Sequence, residues 1–149
     1  MLTFSSDDVV AVALVQAIRG GDIAALRHLI DEHPELASAR LRSGKGTTRT
    51  PLHVAADWPG YFPNGPAVVH LLIGAGANPN APHTGGSHAE TPLHWAASSD
   101  DVDVASALID GGADIEATGA SIAGGTPLDD AVGYGCWHVA ASCRARRSR

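Results

Sequence analysis

Thr91-Pro92-Leu93-His94-Trp95-Ala96-Ala97 decides the fold, because the chain writes this stretch three times. Thr50-Pro51-Leu52-His53-Val54-Ala55-Ala56 precedes it, and Thr126-Pro127-Leu128-Asp129-Asp130-Ala131-Val132 follows. The three copies start 41 and 35 residues apart. A second theme follows the first two copies at a fixed phase. Leu71-Leu72-Ile73-Gly74-Ala75-Gly76-Ala77-Asn78-Pro79-Asn80 matches Leu108-Ile109-Asp110-Gly111-Gly112-Ala113-Asp114-Ile115-Glu116. Two motifs recurring in register mark a repeat architecture.

Each residue type has a physical role. Threonine caps a helix start, and proline at the first helical position gives up an amide that would be unpaired there anyway. Leucine and paired alanines put a narrow apolar stripe on a short helix, and alanine lets neighbouring helices stack closely. A second helix carries the longer apolar run, Val68, Val69, Leu71, Leu72 and Ile73, then Val102, Val104, Ala105, Leu108 and Ile109. The glycines at 74 and 76, and at 111 and 112, end that helix in a left-handed conformation. Asn78-Pro79-Asn80 or Asp114 then turns the chain outward.

These motifs resemble the ankyrin repeat, whose signature is T-P-L-H-x-A at a period of about 33 residues. The resemblance is strong from Thr50 to about Val139. It implies an all-α fold: an ankyrin-repeat solenoid of stacked helix-turn-helix repeats joined by hairpin loops, the last repeat incomplete. The chain reads as one domain over residues 1–149, with an N-terminal capping repeat at about 5–39. Repeat 2 is placed at 40–80, repeat 3 at 81–116, a partial repeat 4 at 117–143 and a basic tail at 144–149. In the capping repeat, Ser5-Ser6 is expected to start a helix containing Val9, Val10, Val12, Leu14, Val15 and Ile18. Gly20-Gly21-Asp22 breaks it, and a second helix with Ile23, Leu26, Leu29 and Ile30 ends near Pro34. A first repeat without the signature suits a cap.

Three stretches depart from the pattern. Arg40 to Arg49 forms a long loop before the first signature. Asp57 to Pro66 is inserted between the paired helices of repeat 2. After Val139, the sequence Ala140-Ala141-Ser142-Cys143-Arg144-Ala145-Arg146-Arg147-Ser148-Arg149 stands where an apolar helix and a glycine turn belong, and it is not expected to form a capping helix. One reading is a truncated or frameshifted tail, since such codons read two bases on can restore a Leu-Leu and an Arg-Gly-Ala. The bare face of an incomplete last repeat then predicts marginal stability or self-association.

The formal net charge is −6, and its distribution is uneven. The basic residues are Arg19, Arg27, Arg40, Arg42, Lys45, Arg49, Arg144, Arg146, Arg147 and Arg149. Between Thr50 and Cys143 stand ten acids and no Lys or Arg: Asp57, Glu90, Asp100, Asp101, Asp103, Asp110, Asp114, Glu116, Asp129 and Asp130. Such a surface repels phosphate backbones and excludes nucleic acid as a partner. It either keeps the domain dispersed or steers a partner with a basic patch. Two cysteines make no disulfide framework. The start MLTFSSDD lacks a basic n-region, and no apolar run approaches the length of a membrane span. The expectation is a cytoplasmic protein with no membrane association.

Candidate chemistry is sparse. His53 and His94 sit in the signature, where the resemblance implies a ring that hydrogen-bonds between repeats. Cys136, His138 and Cys143 are the most metal-like group, but six residues separate the cysteines where zinc sites want a tight pair, so the expectation is no metal and no cofactor. Gly44-Lys45-Gly46-Thr47 has the composition of a phosphate loop without its spacing. No serine elbow occurs, and no catalytic residue is expected. Among the few aromatics, Trp58, Tyr61 and Phe62 cluster in the insertion, either as a binding hot spot or folded back over the helix ends. Trp95 and Trp137 read as packing residues.

The resemblance also implies function: a non-catalytic scaffold or adaptor that holds a partner protein on hairpin tips and the concave face. Carried onto this chain, the candidate contacts are Arg42 and Lys45 on the first tip, His83 and His88 on the second and Ser121 on the third. Asp57, Trp58, Tyr61, Phe62, Ser98, Ser99 and Asp100 join them from the helix ends. The signature positions Thr50, Pro51, Leu52, His53, Thr91, Pro92, Leu93, His94, Thr126, Pro127 and Leu128 are structural. The rivals are a fragment of a longer ankyrin-repeat regulatory protein and a small-molecule or enzymatic role, which would show as a deep pocket with convergent polar groups.

Overall fold

Eight helices alternate between two layers within residues 2–149, the part of the chain that the computed structural model describes. The inner layer holds α1 (Val9–Gly20), α3 (Pro51–Ala55), α5 (Pro92–Ser98) and α7 (Pro127–Gly133). The outer layer holds α2 (Ile23–Glu32), α4 (Gly65–Gly74), α6 (Val102–Asp110) and α8 (Trp137–Arg147). Within each layer every helix packs on the next in chain order, and each inner helix packs on its outer partner. The stack is a solenoid in which each unit buries its apolar face against its neighbours.

Local chemistry explains the elements. Thr50 Oγ1 accepts the His53 amide at 3.4 Å, and Thr126 Oγ1 accepts the Asp129 amide at 3.4 Å, with proline at the first helical position each time. Ala55, Ala56, Ala96 and Ala97 are buried, which permits the close inner stacking. Leu14, Leu52 and Leu93 line the inner half of the core, and Leu26, Leu72 and Leu108 the outer half. Of each glycine pair only the second is left-handed: Gly76 has φ 110° and Gly112 φ 105°, while Gly74 still belongs to α4. There the Asn80 side chain ties successive tips, accepting the Asp114 amide at 2.7 Å and donating to the Gly112 carbonyl at 3.0 Å.

Three expectations are corrected. Ser5-Ser6 does not cap α1. Asp8 does, accepting the Val10 amide at 2.9 Å, because a carboxylate one residue before the helix reaches the free amides better placed than either serine. Residues Thr3–Ser5 instead form strand β1, parallel to β2 (Arg40–Arg42), with Thr3 opposite Arg40. The stretch read as a loop from Arg40 to Arg49 is a hairpin: β2 pairs antiparallel with β3 (Thr48–Arg49). Thr48 also exchanges main-chain hydrogen bonds of 2.8 and 3.0 Å with Thr84 on the next tip.

The tail, read as too poor for a capping helix, forms α8. Alanine and arginine are good helix formers, and Val139, Ala140 and Cys143 supply a buried stripe. Its arginines turn back onto acids of the preceding repeat. Arg146 reaches Asp110 at 2.9 Å, and Arg147 grips both oxygens of Glu116, the longer contact being 2.7 Å.

Candidate functional site

The signature histidines set the frame of the concave side. His53 is fully buried. Its Nδ1 accepts the Thr50 amide at 3.1 Å, which leaves the proton on Nε2 to donate to the Glu90 carbonyl of the next repeat at 2.9 Å. His94 repeats the arrangement, with Thr91 N–H at 3.0 Å and the Gly125 carbonyl at 3.2 Å. Burial pushes the His53 ring down to about 3, and burial lowers His94 as well, so both stay neutral. In the third copy Asp129 closes the capping box by accepting the Thr126 amide at 2.7 Å. The Glu90 carbonyl also takes the His83 amide at 2.7 Å, so the main chain at Glu90 is held from two sides.

The inserted segment is a strap across three repeats. Tyr61 N–H donates to Asp101 at 2.7 Å and Tyr61 O–H to the Asp100 carbonyl at 3.0 Å, both at the end of α5. Asn64 donates to the Gly21 carbonyl at 2.9 Å, in the first repeat. Gly21 has φ 62°, and a side chain there would collide with Pro63, so this crossing requires glycine. Phe62 is half-buried under the Arg19 guanidinium, 5.9 Å from its ring centre. The three insertion aromatics therefore separate: Tyr61 and Phe62 anchor the strap, and Trp58 stays 76% exposed.

Trp58 lines a cavity of about 200 Å³ on the concave side, together with Asp57, Glu90, Trp95, Ser98, Ser121 and Tyr134. The register of the repeats explains the grouping. Val54, Trp95 and Asp130 are the fifth residues of the three signature copies, and Trp58, Ser99 and Tyr134 the ninth. Each position lies one repeat from its counterpart along the groove. Trp95 is held edge-on by His53, with ring centres 4.8 Å apart.

The acids that line this cavity and the one buried behind it are unequally balanced. Asp57 is neutralised, accepting from Arg19 and Arg49 at 3.1 Å each. Asp130 is wholly buried, and its Oδ1 accepts the Ser121 hydroxyl at 3.1 Å and the Ile122 amide at 3.2 Å. Its Oδ2 is buried with no hydrogen-bond partner. The Glu90 carboxyl sits against Asp130 and accepts the Ser121 amide at 3.2 Å. Desolvation first, then the neighbouring Glu90 charge, push Asp130 up to about 6. No Lys or Arg forms an ion pair with either carboxylate among the described residues.

The other sequence candidates are scattered. Arg42 and Lys45 are exposed on the β2–β3 hairpin, and His88 is exposed on the second tip. His83 is half-buried against Trp95, with ring centres 5.8 Å apart. Ser121 turns inward, its hydroxyl shared between Asp130 and Tyr134 O–H, the latter at 2.9 Å. Ser98 and Ser99 use their hydroxyls on the carbonyls of His94 at 3.0 Å and Ala56 at 3.1 Å. Asp100 caps α8, accepting the Val139 amide at 3.0 Å and contacting His138 at 2.7 Å. Cys136 and Cys143 are free, buried thiols, both raised by burial. Among the described residues no three His, Cys, Asp or Glu side chains gather as a metal would need.

Sequence reasoning missed Glu90, Asp130 and Tyr134 and read Trp95 as packing. The available signal was Asp130 itself: a carboxylate at the fifth position of its copy, where the other copies place Val54 and Trp95.

The family comparison agrees with this architecture. The model for ankyrin repeats matches three copies over residues 61–141, more than half of the chain. The protein belongs to the ankyrin repeat family, whose members are generally protein–protein interaction modules and typically non-catalytic. No curated protein matches it at a significant level. No helix among the described residues is long and apolar enough to cross a membrane.

Proposed function

We propose that this chain is a cytoplasmic adaptor that binds one partner protein in its concave groove, with Trp58 and the Glu90–Asp130 pair at the centre of contact. The observation that carries the reading is unbalanced charge. The Glu90 carboxyl shares a cavity with an exposed tryptophan and has the buried Asp130 behind it, neither acid has a counter-ion, and the chain holds no basic residue from Thr50 to Cys143. Large aromatics are enriched among the few residues that carry most of the binding energy at protein interfaces. A partner segment of opposite sign is attracted by such a groove and oriented in it. The hairpin residues Arg42 and Lys45 lie at the rim and contribute through solvent-screened contacts.

A photo-crosslinking amino acid placed at Trp58, and separately at His70 on the exposed side of α4, tests this. After illumination in lysate of the native host, the Trp58 position is expected to yield one discrete adduct that is lost at high salt, and the His70 position none. Equal adducts from both positions, or an adduct from His70 alone, would move the binding face to the outer helices.

A further inference from the structure

The open cavity between Trp58, Trp95 and Tyr134 has room for one side chain. At about 200 Å³ it falls below the roughly 300–1,000 Å³ of pockets that hold drug-sized ligands. Three aromatic rings line it, beside Asp57, Glu90, Ser98 and Ser121. Trp58 comes from the inserted segment just after α3, Trp95 from α5 and Tyr134 from the end of α7, so three successive repeats contribute one ring each. The Glu90 carboxyl lines its base, and the buried Asp130 carboxyl lies against Glu90 outside the lining. Glu90 is fixed by its own main chain, which receives His53 Nε2–H and the His83 amide at 2.9 and 2.7 Å. Asp130 lies behind Ser121, with Oδ1 fully engaged and Oδ2 bare.

A buried carboxylate oxygen without a donor costs on the order of 1–3 kcal/mol, more when charged. Two adjacent carboxyls add repulsion, which either a shared proton or a cation relieves. The other acid of the cavity, Asp57, already has two arginines, so the unmet charge is confined to Glu90 and Asp130. Flat rings around a negative base match the chemistry of a guanidinium or ammonium on an aliphatic stem. The stem lies along the rings, the cation meets their faces, and the charge pairs with the carboxylate.

We propose that this cavity receives one basic side chain of the bound partner segment, with Glu90 as its direct ion pair, Asp130 reinforcing the charge from behind and Trp58, Trp95 and Tyr134 flanking the stem. The assignment rests on the binding-module reading and gives it a specificity pocket. Arginine fits better than lysine, because a planar guanidinium stacks on indole and pairs with a carboxylate through two parallel bonds.

The test is a titration of the ¹⁵N-labelled full chain, followed by NMR, with Nα-acetyl-arginine amide, its lysine counterpart and its citrulline counterpart. Citrulline keeps the shape and removes the charge. Arginine amide is expected to shift the Trp58 and Trp95 indole N–H signals and the Ser121 and Ile122 amides to saturation, with Kd on the order of millimolar. Lysine amide is expected to bind more weakly, and citrulline amide to leave these signals in place. Glu90→Gln is expected to weaken arginine binding about tenfold, the scale of one charge-assisted hydrogen bond. Asp130→Asn is expected to weaken it by a smaller factor, and Asp103→Asn on the outer face to leave it unchanged. The dispersed spectrum of each variant reports that it remains folded.

Equal shifts with citrulline, or unchanged binding in both Glu90→Gln and Asp130→Asn, would overturn the proposal. A salt-sensitive Trp58 crosslink that survives while arginine amide fails to bind refutes the pocket and leaves the module reading intact. Arginine binding without any crosslink at Trp58 refutes the module reading and leaves a site for free cationic molecules.

Discussion

Both nitrogens of His53 are committed, and the ring is fully buried. Thr50 N–H donates to Nδ1, Nε2–H donates to the Glu90 carbonyl, and burial holds the ring down at about 3. His53→Ala removes both partners at once and leaves a cavity between repeats. The expected loss is about 2–4 kcal/mol, from the unpaired Thr50 amide and Glu90 carbonyl and the missing ring volume. Urea unfolding of the variant measures it. A loss near zero would mean that the inter-repeat hydrogen bond adds nothing. The role of this residue was legible in the sequence, because Thr50-Pro51-Leu52-His53 fixes the ring on a short helix three residues from its cap. Its acceptor was not. Glu90 precedes the next copy by one residue, and nothing in its type reveals that its carbonyl receives a histidine while its carboxyl faces Asp130. Side-chain identity advertises a motif, whereas a main-chain acceptor has no sequence signature.

The inserted segment shows the same division at the level of elements. Its existence, its proline and glycine content and its aromatic cluster were visible from Asp57 to Pro66. Which aromatics anchor and which stay open depended on contacts of Tyr61 with Asp101 and of Asn64 with Gly21, 40 and 43 residues away along the chain. The tail failed for a related reason. Its arginines look like a solvated run until α8 places Arg146 and Arg147 against Asp110 and Glu116. Asp101 is the residue on which the strap depends. It is 1% exposed, caps α6 by accepting the Val104 amide at 3.1 Å, and accepts Tyr61 N–H at 2.7 Å through its other oxygen. Asp101→Ala removes a cap and an anchor together, at about 2 kcal/mol. Hydrogen exchange of the Tyr61 and Val104 amides is expected to speed up in the variant while that of Leu14 in α1 changes little. Unchanged protection at Tyr61 would show that the strap is held by Phe62 and Asn64 instead.

Proton linkage joins these local features across the whole solenoid, and it has two opposing contributions. His53 and His94 are held below their ordinary value by burial. For them the unfolded chain binds more protons, so their share of stability is complete above about 6.5 and is lost as the pH falls. Asp130 is raised to about 6, so its share is complete below the ordinary carboxylate range and is lost as the pH rises through 6. Asp100 is held low by His138 and the Val139 amide against the desolvation of its setting, and it weakens the fold only in stronger acid. Two histidines against one carboxyl give a net loss of stability between pH 7 and 5. Because neighbouring repeats stabilise one another through these same contacts, the loss is expected as one cooperative shift in melting temperature. Asp130→Asn separates the two contributions. The amide keeps the Ser121 and Ile122 contacts and can donate to Glu90, so the variant is expected to melt a few degrees higher at pH 7.5, on the order of 1–2 kcal/mol. That advantage shrinks toward pH 5, where the native carboxyl takes up its own proton, so the variant's melting temperature falls more steeply on acidification. Calorimetric melting of both proteins at pH 7.5, 6 and 5 decides it. A variant that is less stable at pH 7.5, or whose advantage grows in acid, would show that the Asp130 carboxylate is already balanced in the free protein, and the cavity would then have no unmet charge to offer a basic side chain.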